Sequence, residues 1–132
     1  MLTILPMEDR QRERELLEAI PEKAGDDARI LMMRDGTREL GWVAVELLHS
    51  VLRMIHMEIP GCEKLDGLSG ENAFIADTLM RSAASYGAAV GAYRIGSLQP
   101  ELNGFLAARG FTPGENGAQA DLGVIVKYTG PQ

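Results

Sequence analysis

Two ionisable side chains, His56 and Glu58, are the first candidates for chemistry in this sequence. They fall in a stretch, Leu52 to Ile59, whose residues alternate as in a β-strand, so both lie on one face. An imidazole or a carboxylate there can take a proton from a nucleophile as a general base. The pair equally fits a partly solvated face on which the two side chains bond to each other or to a neighbour. The alternation predicts two sets of side chains, with Ile55, Met57 and Ile59 on one face and Met54, His56 and Glu58 on the other.

A glycine-containing loop is the second candidate site. Gly67, Ser69 and Gly70 precede a helical pattern that runs from Ala73 to Tyr86. The start of a helix offers unpaired N–H groups and positive partial charge to an anion, and Ser69 is also a favoured N-cap residue. A phosphate cradle and an ordinary loop are both compatible with this pattern. The charges in the loop are a poor setting for a diphosphate, because three acidic residues face one lysine: Glu63, Asp66 and Glu71 against Lys64.

Composition narrows the class of protein. The 132 residues suit one domain spanning 1–132, and 45% of them are hydrophobic, which suits a folded core. A net charge of −6 argues against nucleic acid or an anionic membrane as a partner. Cys62 is the single cysteine, which excludes an internal disulfide, and the two histidines make no convincing metal site. Without a signal-peptide pattern or a bilayer-spanning run, we expect a cytoplasmic protein.

Apolar periodicity and turn residues predict a mixed α/β sheet of about six to seven strands with helices on both faces. The segment Thr112 to Ala120 is predicted to be a loop. The predicted strands are Leu2 to Leu5, Arg29 to Met33, Glu39 to Leu48, Leu52 to Ile59, Val90 to Leu98 and Leu122 to Tyr128. The predicted helices are Glu8 to Ile20, Ala73 to Tyr86 with Gly87 as its cap, and Pro100 to Arg109.

The segment Ala89 to Phe111 carries a family resemblance. It follows a helix of small residues and reads as a buried strand, a helix begun by Pro100, and then Gly110-Phe111. This order, together with the opening strand Leu2-Thr3-Ile4-Leu5-Pro6, resembles the GCN5-related N-acetyltransferase (GNAT) superfamily. The resemblance in element order covers almost the whole chain, and it implies the acyl-CoA N-acyltransferase type of fold.

The resemblance implies a site for acetyl-CoA or another acyl-CoA between the fourth and fifth strands, which separate in that family. Backbone N–H groups around Met57 and Ile59 would polarise the thioester oxygen, and Glu58 would act as the base. The diphosphate would lie on Gly67, Ser69, Gly70 and Asn72 at the start of the central helix, with Gln99 after the fifth strand completing the cofactor contacts.

Three features depart from the family pattern. The phosphate loop has Gly67 where Gln or Arg is usual and Asn72 where a small residue is usual. Gln99 and Leu106 stand at the positions of a frequent Asn and of a Tyr that serves as the general acid. The single helix Glu8 to Ile20 replaces two, which reduces the wall for the acceptor.

These observations predict acyl transfer from acyl-CoA to a small amine. The alternative is a non-catalytic member of the fold that binds a ligand or a protein partner, because fold alone does not fix function. A second copy of the chain is a further candidate partner, through pairing of apolar strands across a two-fold axis.

Overall fold

The computed structural model of the protein describes residues 1–115 and 117–129. Its strands are β1 (Leu2–Pro6), β2 (Arg29–Asp35), β3 (Arg38–Leu48), β4 (Val51–Glu58), β5 (Arg94–Ser97) and β6 (Ala118–Asp121). Its helices are α1 (Arg10–Ala19), α2 (Gly70–Ala89), a 3₁₀ turn (Pro100–Leu102), α3 (Asn103–Ala107) and α4 (Leu122–Thr129).

The six strands form one sheet in chain order, β1 to β6. Every neighbouring pair is antiparallel except β4 and β5, which are parallel. Parallel neighbours need a long crossover connection, and α2 supplies it. The predicted mixed sheet is therefore confirmed, with six strands.

Helices cover both faces of the sheet. On one face α1 packs through Leu16 and Leu17 against a cluster that includes Ile30, Met32 and Trp42. On the other face α2 and α4 share a larger core with β2 to β6, which includes Met33, Val43, Leu52, Ile75, Leu79, Ile95 and Ile125. Removal of these apolar side chains from water on both faces is the main term that stabilises the sheet.

A β-bulge changes the predicted alternation of β4. The register between β3 and β4 shifts after Ala44, so that Ile55 has no direct partner. Such an extra residue turns the side chains on its two sides out of strict alternation. Met54 therefore packs in the α2 core and Ile55 in the α1 core, the reverse of the predicted faces. From His56 to Ile59 the predicted alternation is correct.

The end of the chain differs from the prediction. The segment 122–128 was expected to be a strand because of its run of Val and Ile, but it is the helix α4. Leu122, Ile125 and Val126 have helical spacing and pack against the core beside α2, and this tertiary packing outweighs β-propensity. The sixth strand comes instead from Ala118–Asp121, which begins inside the predicted loop Thr112 to Ala120 and pairs with β5. Arg94 of β5 binds Asp121 at 2.6 Å.

Other predicted element boundaries also differ from the structure. Helix α2 begins at Gly70 and runs through Gly87, which is buried rather than a cap. A Cβ on Gly87 would lie 3.0 Å from the Cβ of Leu52, so glycine lets α2 approach β4 closely. The helix predicted from Pro100 to Arg109 is a 3₁₀ turn followed by α3, and β5 is shorter than predicted.

Candidate active site

The strands β4 and β5 separate at one end of the sheet. They pair from Val51 with Arg94 to Met54 with Ser97, and the Leu98 N–H then donates to the Met54 carbonyl at 3.1 Å. Beyond that bond β4 continues, while the chain after β5 turns into the 3₁₀ turn at Pro100. The bulge at Ile55 bends β4 just before this point. The separation leaves the end of β4 without a neighbouring strand on the side of β5, while its other edge stays paired with β3.

A cleft of about 320 Å³ occupies the opening. Its walls come from the end of β4 and the turn after it, from Leu65, and from the segment that follows β5. The predicted site residues that line it are His56, Met57, Glu58, Ile59 and Gln99. The structure therefore brings together the two candidate bases and three of the predicted cofactor contacts. Their binding and catalytic roles stay predictions.

The side chain of Gln99 crosses the opening. Its Oε1 accepts the N–H of Met57 at 2.6 Å, and its Nε2 donates to the Met57 carbonyl at 3.2 Å. The same Nε2 lies 3.3 Å from Nδ1 of His56. Gln99 is 5% exposed, so these bonds are shielded from water. A side-chain amide thus takes the place that a β5 backbone would have taken in a continuous sheet.

His56 has carboxylates on two sides. Its Nδ1 lies 3.0 Å from Glu22, in the segment after α1, and its Nε2 lies 3.5 Å from Glu58. The ring also stands 5.5 Å from that of Trp42, centroid to centroid. A ring nitrogen donates only when it carries a hydrogen, so a bond to Glu22 requires the Nδ1–H form. That form leaves Nε2 free to accept a proton near the cleft.

Glu22 was not predicted from the sequence. It lies in a loop with no periodicity, and only the packing of α1 on the sheet brings it to His56. No local pattern in the sequence carries this contact, which joins residues 34 positions apart.

The predicted phosphate loop lies outside the cleft. Gly67, Ser69 and Gly70 are exposed, Asn72 is half-buried, and none of the four lines the opening described above. Ser69 is the N-cap of α2 as predicted, although its side chain makes no capping bond. Gly70 has φ +55°, a backbone conformation that glycine adopts without strain. The start of α2 is thus open to solvent, and phosphate binding there stays a prediction.

Two arginines, one within α2 and one after α3, bind the same aspartate of α2. Arg81 and Arg109 both bind Asp77, at 2.8 and 2.7 Å, and the Arg109 guanidinium stacks 3.6 Å above the ring of Phe105. Burial alone would raise the pKa of Asp77, but the hydrogen bonds from Arg109 and Arg81 outweigh it and lower that pKa. A shallow hollow of about 490 Å³ lies beside this cluster. The i,i+4 spacing of Asp77 and Arg81 signals their pairing, whereas the contact with Arg109 needs the fold.

Leu106 is fully buried in the core that faces α2. Its position therefore supplies no acid to the cleft, as the sequence indicates. Within residues 1–115 and 117–129 no group of three or more His, Cys, Asp or Glu side chains is placed to hold a metal ion. In the same ranges no helix has the length and apolar character to cross a membrane.

A second hollow, of about 600 Å³, lies between α1 and the segment that follows it. Arg10, Arg14, Glu18 and Lys23 are among the residues that line it. Both signs of charge are present on its wall. It is separate in sequence from the residues predicted to bind a cofactor.

Comparison with known proteins supports the architecture. No protein-family model and no curated protein sequence matches the chain. A GNAT-family protein from Desulfovibrio desulfuricans superposes with a TM-score of 0.62 at 6% identity, covering 92% of this chain and 99% of that one. YhhK from E. coli, whose solution structure contains coenzyme A, gives a TM-score of 0.58 at 18% identity, covering 92% and 98%.

A third solved structure is the ribosomal-protein-S18-alanine N-acetyltransferase from E. coli. Its TM-score is 0.60 at 10% identity, with 90% of this chain and 88% of that one covered. Identities this low show a shared fold and leave activity to be argued from the site. The chain therefore has the fold of these GNAT-family acetyltransferases, as the order of its elements predicts.

Proposed function

We propose that this protein transfers an acyl group from acyl-CoA, such as acetyl-CoA, to a small amine in the cleft between β4 and β5. The observation that carries the proposal is the separation of these strands beside His56 and Glu58. A solved protein of the same fold, YhhK, holds coenzyme A. Its backbone similarity supports a cofactor of that kind here.

The β4 backbone is suited to an acyl-CoA arm. Along a strand, the N–H and C=O groups of alternate residues point to the same side, so the N–H of Ile59, just past β4, is expected on the side of the Met57 groups. The Ile59 C=O already accepts the Cys62 N–H at 2.9 Å. The arm is a chain of amides and methylenes, which can pair with such groups as an added strand does. An N–H donor near the thioester oxygen stabilises the negative charge that develops during attack.

Proton transfer in the proposed reaction uses His56 and Glu58. An amine that arrives as an ammonium ion must lose a proton before its nitrogen attacks the thioester carbon. One of the two groups takes that proton and passes it to solvent. As the C–N bond forms, the same group takes a second proton from the nitrogen, and the C–S bond breaks. The protonated group can then return a proton to the departing thiolate, so the reaction needs no acid at Leu106.

The alternative function, ligand or partner binding without catalysis, has two observations in its favour. The three carboxylates that line the cleft, Glu58, Glu63 and Glu101, oppose an anionic cofactor, and Gln99 already fills the hydrogen-bonding groups of Met57. A protein that has lost cofactor binding would tolerate both features.

Thermal unfolding with and without acetyl-CoA tests the proposal. A ligand that binds only the folded state at a hundredfold excess over its Kd adds about 2.7 kcal/mol. For a chain of this length that is a Tm rise on the order of 8 °C. No shift at millimolar acetyl-CoA would contradict the proposal. A shift without release of free CoA across a panel of amines would favour the non-catalytic alternative.

A further inference from the structure

Gln99 presents the same chemical groups as the ligand that the cleft is proposed to bind. A carboxamide offers one C=O acceptor and N–H donors, and here it meets both backbone groups of Met57. The acyl-CoA arm contains secondary amides, each with one C=O and one N–H. The Met57 backbone is therefore an amide-binding site that a side chain of the same protein already occupies.

The contact between Gln99 and Met57 is buried, and a further hydrogen bond holds Gln99 in place. Gln99 is 5% exposed, and its backbone N–H is itself bonded to the Ser97 hydroxyl at 3.2 Å. An unpaired N–H and C=O at Met57, which is 2% exposed, would be destabilising in the absence of ligand. The side chain of Gln99 removes that penalty while the cleft is empty.

We propose that Gln99 is an internal competitor of acyl-CoA, which must swing away from Met57 before the arm of the cofactor can pair with β4. This inference rests on the proposed function, because it concerns the same cleft. The exchange of one amide for another at Met57 is nearly neutral, so Gln99 lowers the affinity for acyl-CoA without closing the cleft to it.

Displacement of Gln99 also changes the partners of His56. Its Nδ1 lies within reach of both Gln99 Nε2 and Glu22 Oε1. A single ring nitrogen either accepts from the amide or donates to the carboxylate, and it cannot do both at once. When Gln99 leaves, Nδ1 keeps Glu22 as its polar partner. A bond to that carboxylate requires a hydrogen on Nδ1, and Nε2 then faces the cleft without one.

The Gln99→Met variant tests the competition directly. Methionine keeps the length and volume of the side chain but offers no N–H and no C=O. We expect the unliganded variant to have a lower Tm than the wild type, because Met57 loses its two hydrogen bonds to Gln99. We also expect it to bind acetyl-CoA about tenfold more tightly by calorimetry, because the cofactor no longer has to displace those bonds. The control is Ile30→Val, which weakens the α1 core away from the cleft and should leave the Kd unchanged.

The possible outcomes separate the two proposals. If only Gln99→Met binds acetyl-CoA, or if it binds more tightly than the wild type, the proposal that Gln99 competes with the cofactor is supported. If the wild type binds acetyl-CoA and the variant binds it equally or more weakly, Gln99 is not a competitor, and the transferase proposal is unaffected. Absence of binding by both proteins overturns both proposals.

A measurement on the wild-type protein covers the case in which Gln99→Met does not fold. The side-chain NH₂ resonances of Gln99 should move on titration with acetyl-CoA, together with the backbone amide of Met57. If the Met57 amide moves while the Gln99 NH₂ stays fixed, the arm binds without displacing Gln99 and the inference is wrong.

Discussion

The carboxylate of Glu22 lies 3.0 Å from Nδ1 of His56, and this contact joins the segment after α1 to the strand that borders the cleft. Both side chains are mostly shielded, at 22% and 14% exposure. A carboxylate at one ring nitrogen orients the imidazole and sets which nitrogen carries the hydrogen. Glu22 would therefore act as a positioning residue for His56 in the proposed reaction.

We expect Glu22→Gln to lower kcat/KM for acyl transfer by about tenfold or more while leaving the Kd for acetyl-CoA unchanged, because orientation of the base is lost. The shape of the pH–rate profile should change as well, which a purely structural effect would not produce. Glu18→Gln, at an exposed position in α1, is the matched control. Equal loss in both variants would show that Glu22 has no special role.

The general base can be assigned by comparing Glu58→Gln with His56→Gln. Loss of a general base lowers kcat by about 10²–10⁴-fold. The variant that removes the base should show that loss, with acetyl-CoA binding retained, and the other variant should show a smaller one. Rates within twofold of wild type for both variants would contradict a role for either group as the base.

The fold was largely predictable because its signals are local. Turn residues such as Asp35-Gly36 and the breaks at Pro60 and Pro100 mark the ends of elements, and apolar periodicity marks their faces. The separation of the fourth and fifth strands was expected from the family resemblance. The strand predicted for 122–128 was wrong. Its β-branched residues favour a strand in isolation, but packing against α2 makes this segment a helix.

The site was only partly predictable because its contacts are long-range. The alternating pattern of the fourth predicted strand places four of the site residues: His56, Met57, Glu58 and Ile59. The site position of Gln99 follows from its place after the fifth strand. No sequence signal indicates that the Gln99 amide bonds to Met57, 42 positions away, or that Glu22 reaches His56. Those contacts depend on how α1 docks and where β4 and β5 part.

The docking of α1 depends on a buried carboxylate. Glu13 is 2% exposed, accepts the N–H of Ile30 at 2.7 Å, and binds Arg29 at 3.0 Å. Removal of Glu13 leaves both donors without this acceptor, so we expect Glu13→Ala to lower the free energy of unfolding by about 3 kcal/mol. The midpoint of urea denaturation measures this change.

Glu15→Ala is the control for helix composition, since Glu15 is an exposed residue of α1 and its loss should change stability by less than about 0.5 kcal/mol. Equal effects of the two substitutions would contradict the proposed anchoring of α1. Glu13→Ala should also lower turnover, because Glu22 follows α1 directly along the chain and moves with it.

A second ion pair gives a pH-dependent prediction. Arg12 binds Glu39 at 2.5 and 2.6 Å, and this hydrogen-bonded pair lowers the pKa of Glu39 from 4.5 to about 2. A lowered folded-state pKa stabilises the protein above pH 4.5, and this contribution is lost as the pH falls toward about 2. The Glu39 side chain is 29% exposed, so solvent screening limits the contribution to about 1 kcal/mol.

Glu39→Gln should therefore be less stable than wild type at pH 7, and the difference should shrink between pH 4.5 and about 2. Urea denaturation at a series of pH values measures it. A stability difference that stays constant across this range would show that Glu39 titrates normally in the folded protein.

Titration of ¹⁵N-labelled protein with acetyl-CoA tests the central claim most directly. If acyl-CoA binds between β4 and β5, the backbone amides of Met57 and Ile59 shift together with residues at the start of α2. Shifts confined to the hollow beside α1, or no shifts at millimolar acetyl-CoA, would contradict a cofactor site in the cleft.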